Sequence, residues 1–193
     1  WDLARFERFD RSGQAREDIV VDFANHFGAP LPALKASQHG AALESYLLIV
    51  PGAQLAAIYD LWGARLLEAN VRSFLQARAK TNKGIQKTIK EEPELFFPYN
   101  NGLSATAEAV ACVRTDEGLA VSSITNLQIV NGAQTTGSIH AGLRSAGNQL
   151  SKVFVQMKLT VVPAELSESV VPKISEYANT QNKVNAADFF SNH

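Results

Sequence analysis

Between Val153 and Val162 apolar and polar side chains alternate without a break. Val153, Val155, Met157, Leu159 and Val161 share one face, and Gln156, Lys158 and Thr160 the other. A period of two over this length marks a strand with one side against a core. The period then changes: Leu166, Val170, Ile174 and Tyr177 recur at helical spacing, with Pro172 expected to kink or restart the helix. The same switch occurs earlier. A short apolar run at residues 127–130 stops at Asn131-Gly132, and apolar residues resume at helical spacing after Gln134-Thr135-Thr136. Strands that hand over to helices through short turns predict a mixed α/β (α+β) domain.

The rest of the chain fits that class. Residues 19–23 and 46–50 are β-branched or aromatic runs and predict strands. The connection between them, with His26, Gly28, Pro30, Pro32, His39 and Gly40, reads as loop. Pro51-Gly52 starts a helix with Leu55, Ile58, Tyr59 and Trp62 on one face and Gly63 as its cap. Residues 64–68 read as a further strand. Thr81 would cap a short helix that turns Ile85 and Ile89 inward and ends before Pro93. Residues 103–114 and 119–124 flank Asp116-Glu117-Gly118 as a hairpin. Residues 1–18, rich in charge, read as a surface helix or linker.

Composition narrows the function. With 46% hydrophobic and 19% charged residues and a net charge of −1, nothing global draws the chain to nucleic acid or anionic membrane, so such affinity must be local. One cysteine, Cys112, excludes a disulfide framework; in its alternating run it reads as a buried, inert thiol. The longest apolar run is too short to span a bilayer, and the expected location is the cytoplasm, with no membrane partner. The chain starts at Trp1 without a methionine and stops just past Phe189-Phe190, so it reads as a piece of a longer polypeptide whose other domains are expected partners.

Four stretches carry candidate chemistry. A strand ending in Asn131-Gly132 and opening a helix at Thr135-Thr136 leaves the first N–H groups of that helix without partners, a natural seat for phosphate. Asn131, Gly132, Gln134, Thr135 and Thr136 fit that role; they equally fit plain helix capping. No Lys follows the glycine, so this is not a Walker loop. Phe96-Phe97-Pro98-Tyr99 reads as core leading into a turn at Asn100-Asn101-Gly102, or as a stacking surface for a base. Asn179, Gln181, Asn182 and Lys183 follow the last helix, either as a solvated end or as a polar wall. Arg72, Arg78, Lys80, Lys83, Lys87 and Lys90 form a basic stretch without an intervening acid, suited to phosphates or to a solvated helix face. Glu91, Glu92 and Glu94 offer a metal cluster or a charged helix end. His26, His39 and His140 lack ligand spacing.

Taken together, Asn-Val-Arg-Ser-Phe-Leu (70–75), Phe-Phe-Pro-Tyr-Asn-Asn-Gly-Leu (96–103), Leu-Gln-Ile-Val-Asn-Gly-Ala-Gln-Thr-Thr (127–136) and Tyr-Ala-Asn-Thr-Gln-Asn-Lys-Val (177–184) resemble the signature set of the AIPR family, bacterial proteins associated with abortive infection and phage resistance. The resemblance covers about residues 44–193. It departs at Ala133, where many members carry a second glycine. A more distant similarity in element order is to the ParB/sulfiredoxin-like fold, which holds nucleotide phosphates; there Thr135 stands where a basic residue is expected. These resemblances imply a ParB-like mixed sheet with flanking helices over residues 64–193, cut short at its end, preceded by a small α/β segment at residues 1–63. They imply a phage-defence protein that binds a nucleotide, such as an NTP with Mg²⁺, or a DNA or RNA phosphate. Asn131, Gly132, Gln134, Thr135 and Thr136 would cradle the phosphate, Asn100 and Asn101 would meet sugar or base, and Arg72, Asn179, Gln181, Asn182 and Lys183 would close the cleft. The alternatives are a metal-dependent nuclease using Glu91, Glu92 and Glu94, and an interaction or sensor module without a small ligand.

Overall fold

The computed structural model describes residues 18–36, 42–67, 82–145 and 147–180. In the first of these stretches Ile19 leads into β1 (Val20–Asp22), and Asp22 caps α1 (Phe23–Phe27) by accepting the Asn25 N–H at 3.0 Å. The segment expected as loop then forms β2 (Leu31–Lys35), despite its proline. Pro32 is tolerated because β2 changes partner beside it. Leu31 and Pro32 pair with β6 (Gly118–Thr125), whereas Ala33, Leu34 and Lys35 pair with β3 (Ser45–Pro51).

The helix expected after β3 is α2 (Gly52–Trp62), closed by Gly63, which donates its N–H to Tyr59 O at φ +53°. Among the described residues of the strand expected at 64–68, no strand forms. Gly63–Leu66 is a 3₁₀ turn, and Leu67 alone bridges Ile129 in parallel. Leu66 and Leu67 are both buried, so the segment has no alternation to present to a sheet. Next come α3 (Asn82–Glu91), the 3₁₀ turn Pro93–Leu95 and α4 (Phe96–Tyr99). The expected cap Thr81 lies outside the described residues.

The long strand expected at 103–114 is two strands broken at Glu108. β4 (Leu103–Ala107) pairs in parallel with β8 (Phe154–Val161) and antiparallel with β7 (Gln128–Asn131). β5 (Ala109–Thr115) makes the expected hairpin with β6 through Asp116-Glu117, where Gly118 sits at φ +120°. Cys112 is exposed, not buried: β5 has only β6 beside it among the described strands, and every β5 residue except Val110 is exposed.

Among the described residues eight strands run in the order β1-β6-β2-β3-β8-β4-β7, with β5 beside β6, so strands from before and after residue 63 share the sheet. β3 and β8 pair along seven residue positions, from Ser45↔Thr160 to Pro51↔Phe154, and hold the middle. The alternation read in β8 holds, with Val155, Met157 and Leu159 facing the core. On that face pack α2, α3 and α5 (Ala133–Ser145). On the other, α6 (Ala164–Thr180) lies against β7. Neighbouring residues of β7 therefore point into two cores, Ile129 with the main cluster and Val130 with Val162 and Val171. Burial on both sides explains why 127–130 reads as a continuous apolar run.

The face α6 buries is only partly the expected one: Val170 and Ile174 pack against the cluster of Val130, Val162 and Val171. Val171 and Ser175 are buried, whereas Leu166 and Tyr177 are 40% and 66% exposed. Pro172 lies within the helix and faces solvent.

At the β2–β3 corner Lys35 Nζ meets Glu44 at 2.5 Å, and the Tyr46 hydroxyl donates to the other Glu44 oxygen at 2.9 Å. The lysine bond, then the tyrosine bond, hold the Glu44 carboxyl below its usual range. Burial first, then Glu44 and Cys112, push the Tyr46 phenol up. A depressed carboxylate contributes stability above its unfolded pKa and loses it as pH falls through the lower folded value. Wild type should therefore lose more stability between neutral and strongly acidic pH than Glu44→Gln, measured by urea unfolding across that range. Equal pH slopes would remove the ion pair from the account.

Candidate functional site

The turn between β7 and α5 is built by its glycine. Gly132 adopts φ +97°, and its missing side chain leaves room for Leu103 and the Gly102 carbonyl of the preceding turn. The Thr136 N–H bonds Gly132 O at 3.0 Å, and the Thr136 hydroxyl donates to the same oxygen at 3.2 Å. That leaves the N–H groups of Ala133, Gln134 and Thr135 ahead of the first intrahelical bond, at the positive end of a thirteen-residue helix.

The second contributor is α6. Asn131 Nδ2 donates to Ala178 O at 2.6 Å and to Asn179 Oδ1 at 3.2 Å. Asn179 Nδ2 in return donates to Val130 O at 2.9 Å and to Ser175 O at 2.6 Å. Two asparagines thus clamp the end of α6 onto the end of β7. Ser175 joins them, its buried hydroxyl donating to Val130 O. It was not singled out in the sequence; its spacing of four from Asn179 was the available signal.

The third contributor is the turn after α4. Asn100 caps that helix, with its N–H and its Nδ2 both on Phe96 O, at 3.0 and 3.1 Å. Asn101 is exposed, and Gly102 leads into β4, where Ser104 pairs with Asn131.

Three of the four polar stretches are therefore contiguous in space, and their members differ in what they have left to offer. Asn100, Asn131, Thr136 and Asn179 are occupied in holding the turn together. Gly132 meets Leu103 where a ligand was expected. Thr135 is buried. Asn101 and Gln134 remain, with the three leading N–H groups. The Gln134 Nε2 atom is buried and has no partner among the described residues; Gln54 Oε1 at the start of α2 and Ser138 Oγ share that condition. Buried polar atoms ordinarily have a partner in the protein, in water or in a ligand. Arg72, Gln181, Asn182 and Lys183, expected to supply charge and the far wall, lie outside the described residues, as do Arg78 and Lys80.

The other candidates resolve more simply. Of the aromatic stretch only Phe96 is core; Phe97 and Tyr99 are 45% and 61% exposed. Glu94 pairs with Lys152 at 2.7 Å, and Glu91 approaches Lys87 at 3.7 Å. The bond from Lys152 holds the Glu94 carboxyl below its usual range. Among the described residues no group of three or more His, Cys, Asp or Glu is arranged to hold a metal ion, so the three glutamates do not form the cluster considered from sequence. His140 Nε2 lies 3.0 Å from Asp60 and its ring 4.9 Å from Tyr59, joining α5 to α2. His26 lies in α1 and receives the Asp22 N–H. No described helix is long and apolar enough to cross a membrane.

The family model described as AIPR protein matches residues 67–193. Neither the curated proteins nor the solved structures contain a significant match.

Proposed function

The chain belongs to the AIPR family, and from that premise we propose that it is a ligand-binding domain of an abortive-infection protein in which the first turn of α5 receives a phosphate of a nucleotide or a nucleic acid. The family suggests the role in phage defence. The ligand is inferred from one observation: three polar stretches, at Asn100-Asn101, Asn131–Gln134 and Asn179, meet at the start of α5, in whose first turn the buried Gln134 Nε2 has no partner among the described residues.

None of the three stretches contains an acid, and a neutral cradle at a helix N-terminus stabilises an anion through N–H groups and the helix dipole. Asn131 and Asn179 are positioning residues in this reading, and Asn101 is the side chain placed to meet a sugar or base. No observation favours the nuclease alternative.

The test is a thermal-shift titration of the chain with ATP and GTP, each with and without Mg²⁺. A bound nucleotide at a hundred times its dissociation constant adds about 2.7 kcal/mol and raises the melting temperature. Gln134→Ala, which removes the buried Nε2 that has no partner among the described residues, should need several-fold more nucleotide for the same shift in melting temperature. No shift with any nucleotide or oligonucleotide, or an identical titration for Gln134→Ala, would overturn the reading.

A further inference from the structure

The chain carries 19 acidic residues, and none of them lies between residues 70 and 90, where its basic stretch runs. The described end of that stretch is α3. This helix turns Ile85 and Ile89 to the core and leaves Lys83, Lys87 and Lys90 exposed. Spacings of four and three residues set the lysines in one line, a cationic stripe about 10 Å long at about 1.5 Å per residue.

The stripe does not serve the helix itself. Like charges at these spacings repel. Lys83 also stands in the first turn, which contains no acid, at the positive end of the helix dipole. A solvated helix face ordinarily mixes signs. Here the described ion pair of the stripe joins Lys87 to Glu91 at 3.7 Å, with side chains 72% and 61% exposed, and such pairs contribute little. Lys83 and Lys90 have no acid partner among the described residues.

A second, independent feature adjoins the lysines. Gly84 is exposed, one turn before Lys87, in a helix where glycine is unfavourable. Nothing stands within 4 Å of the position a Cβ would take there, so packing does not require the glycine. Its bare backbone lets a partner approach the helix closely beside the stripe.

We propose that α3 docks on double-stranded DNA, with Lys83, Lys87 and Lys90 against the phosphate backbone and Gly84 at the closest approach. Duplex DNA presents one negative charge per about 1.7 Å of its axis, a density that meets all three lysines at once. α3 has no aromatic side chain on which the bases of a single strand could stack. The major groove of B-form DNA admits an α-helix, and that of A-form RNA does not. This surface goes beyond the phosphate reading of α5 and does not rest on it.

The probe is a short fluorescein-labelled DNA duplex of mixed sequence, titrated with the chain by anisotropy at a series of salt concentrations. Log affinity should fall linearly with log salt. Lys87→Gln should reduce that slope by about 0.9, the share of one phosphate contact. Lys173→Gln, which removes an exposed lysine of α6, should leave it unchanged. Changing Lys83, Lys87 and Lys90 together to Gln should weaken binding at least tenfold at low salt without lowering the melting temperature, and changing them to Arg should preserve it. Gly84→Leu should weaken binding several-fold in a folded chain. Failure of ATP to bind would leave this surface standing, and failure of the duplex would leave the α5 turn standing. The proposal is overturned if duplex DNA does not bind at low salt, if the triple Gln variant keeps its affinity and slope, or if single-stranded DNA or duplex RNA binds more tightly.

Discussion

Gly132→Ala should destabilise the chain by about 2–6 kcal/mol, the largest effect expected from a change of one methyl group. Two costs combine. A non-glycine residue held at positive φ is strained by about 1–3 kcal/mol, and Gly132 sits at φ +97°. The added carbon would also overlap the Leu103 side chain and stand 3.3 Å from Leu103 Cα. Overpacking of that kind costs about 1–3 kcal/mol. Leu103 has little freedom to yield, because β4 is paired on both sides, with β8 and with β7. Urea unfolding measures this directly; a loss under about 1 kcal/mol would show that the turn tolerates a side chain and is not built as described. The same geometry makes Gly132→Val a poor probe of ligand binding, since it disturbs folding first. Gln134→Ala is the cleaner one.

Phe96→Ala should cost about 3–5 kcal/mol, the usual range for emptying a buried aromatic site, whereas Phe97→Ala should stay within about 0.5 kcal/mol. Adjacent in sequence and identical in type, the two differ only in where α4 points them: Phe96 is 1% exposed in the main core and Phe97 45%. Phe96 also anchors the candidate site, because its carbonyl receives both Asn100 donors and so sets the turn that carries Asn101. Equal losses for the two variants would contradict this orientation of α4.

The particular elements show what a sequence reveals and what it withholds. The β8 strand was legible because one face is core and the other is not, which is the condition under which alternation speaks. The β5–β6 hairpin was legible from its turn residues. Alternation in β5, by contrast, gave the right element and the wrong environment for Cys112. Period reports backbone geometry, and burial depends on whether anything packs against that strand. β2 was missed because Pro32 argues against a strand, and only the change of partner from β6 to β3 makes it acceptable. The inward face of α6 was half legible: Val170 and Ile174 pack inward as read, Leu166 and Tyr177 do not, and Ser175 and Asn179 bond the Val130 carbonyl on that side.

The candidate site was legible as an order of polar turns, each at the end of an element. Its internal division of labour was not. Asn131 and Asn179 read from sequence as ligand contacts, yet each is the other's partner, and the carbonyls that decide this, those of Val130 and Ala178, carry no sequence signature. Thr136 likewise closes the helix on Gly132 O, as the capping alternative required. Gln134 was one polar residue among several, and only its buried, unpartnered nitrogen sets it apart.

The central claim is that the first turn of α5 holds a phosphate. The most direct measurement is a two-dimensional amide NMR titration of the isotopically labelled chain with ATP. The account predicts saturable shifts largest at the N–H groups of Ala133, Gln134 and Thr135 and at the side-chain amide of Gln134, with inorganic phosphate reproducing the backbone part. Shifts concentrated elsewhere, or none at saturating nucleotide, would contradict it.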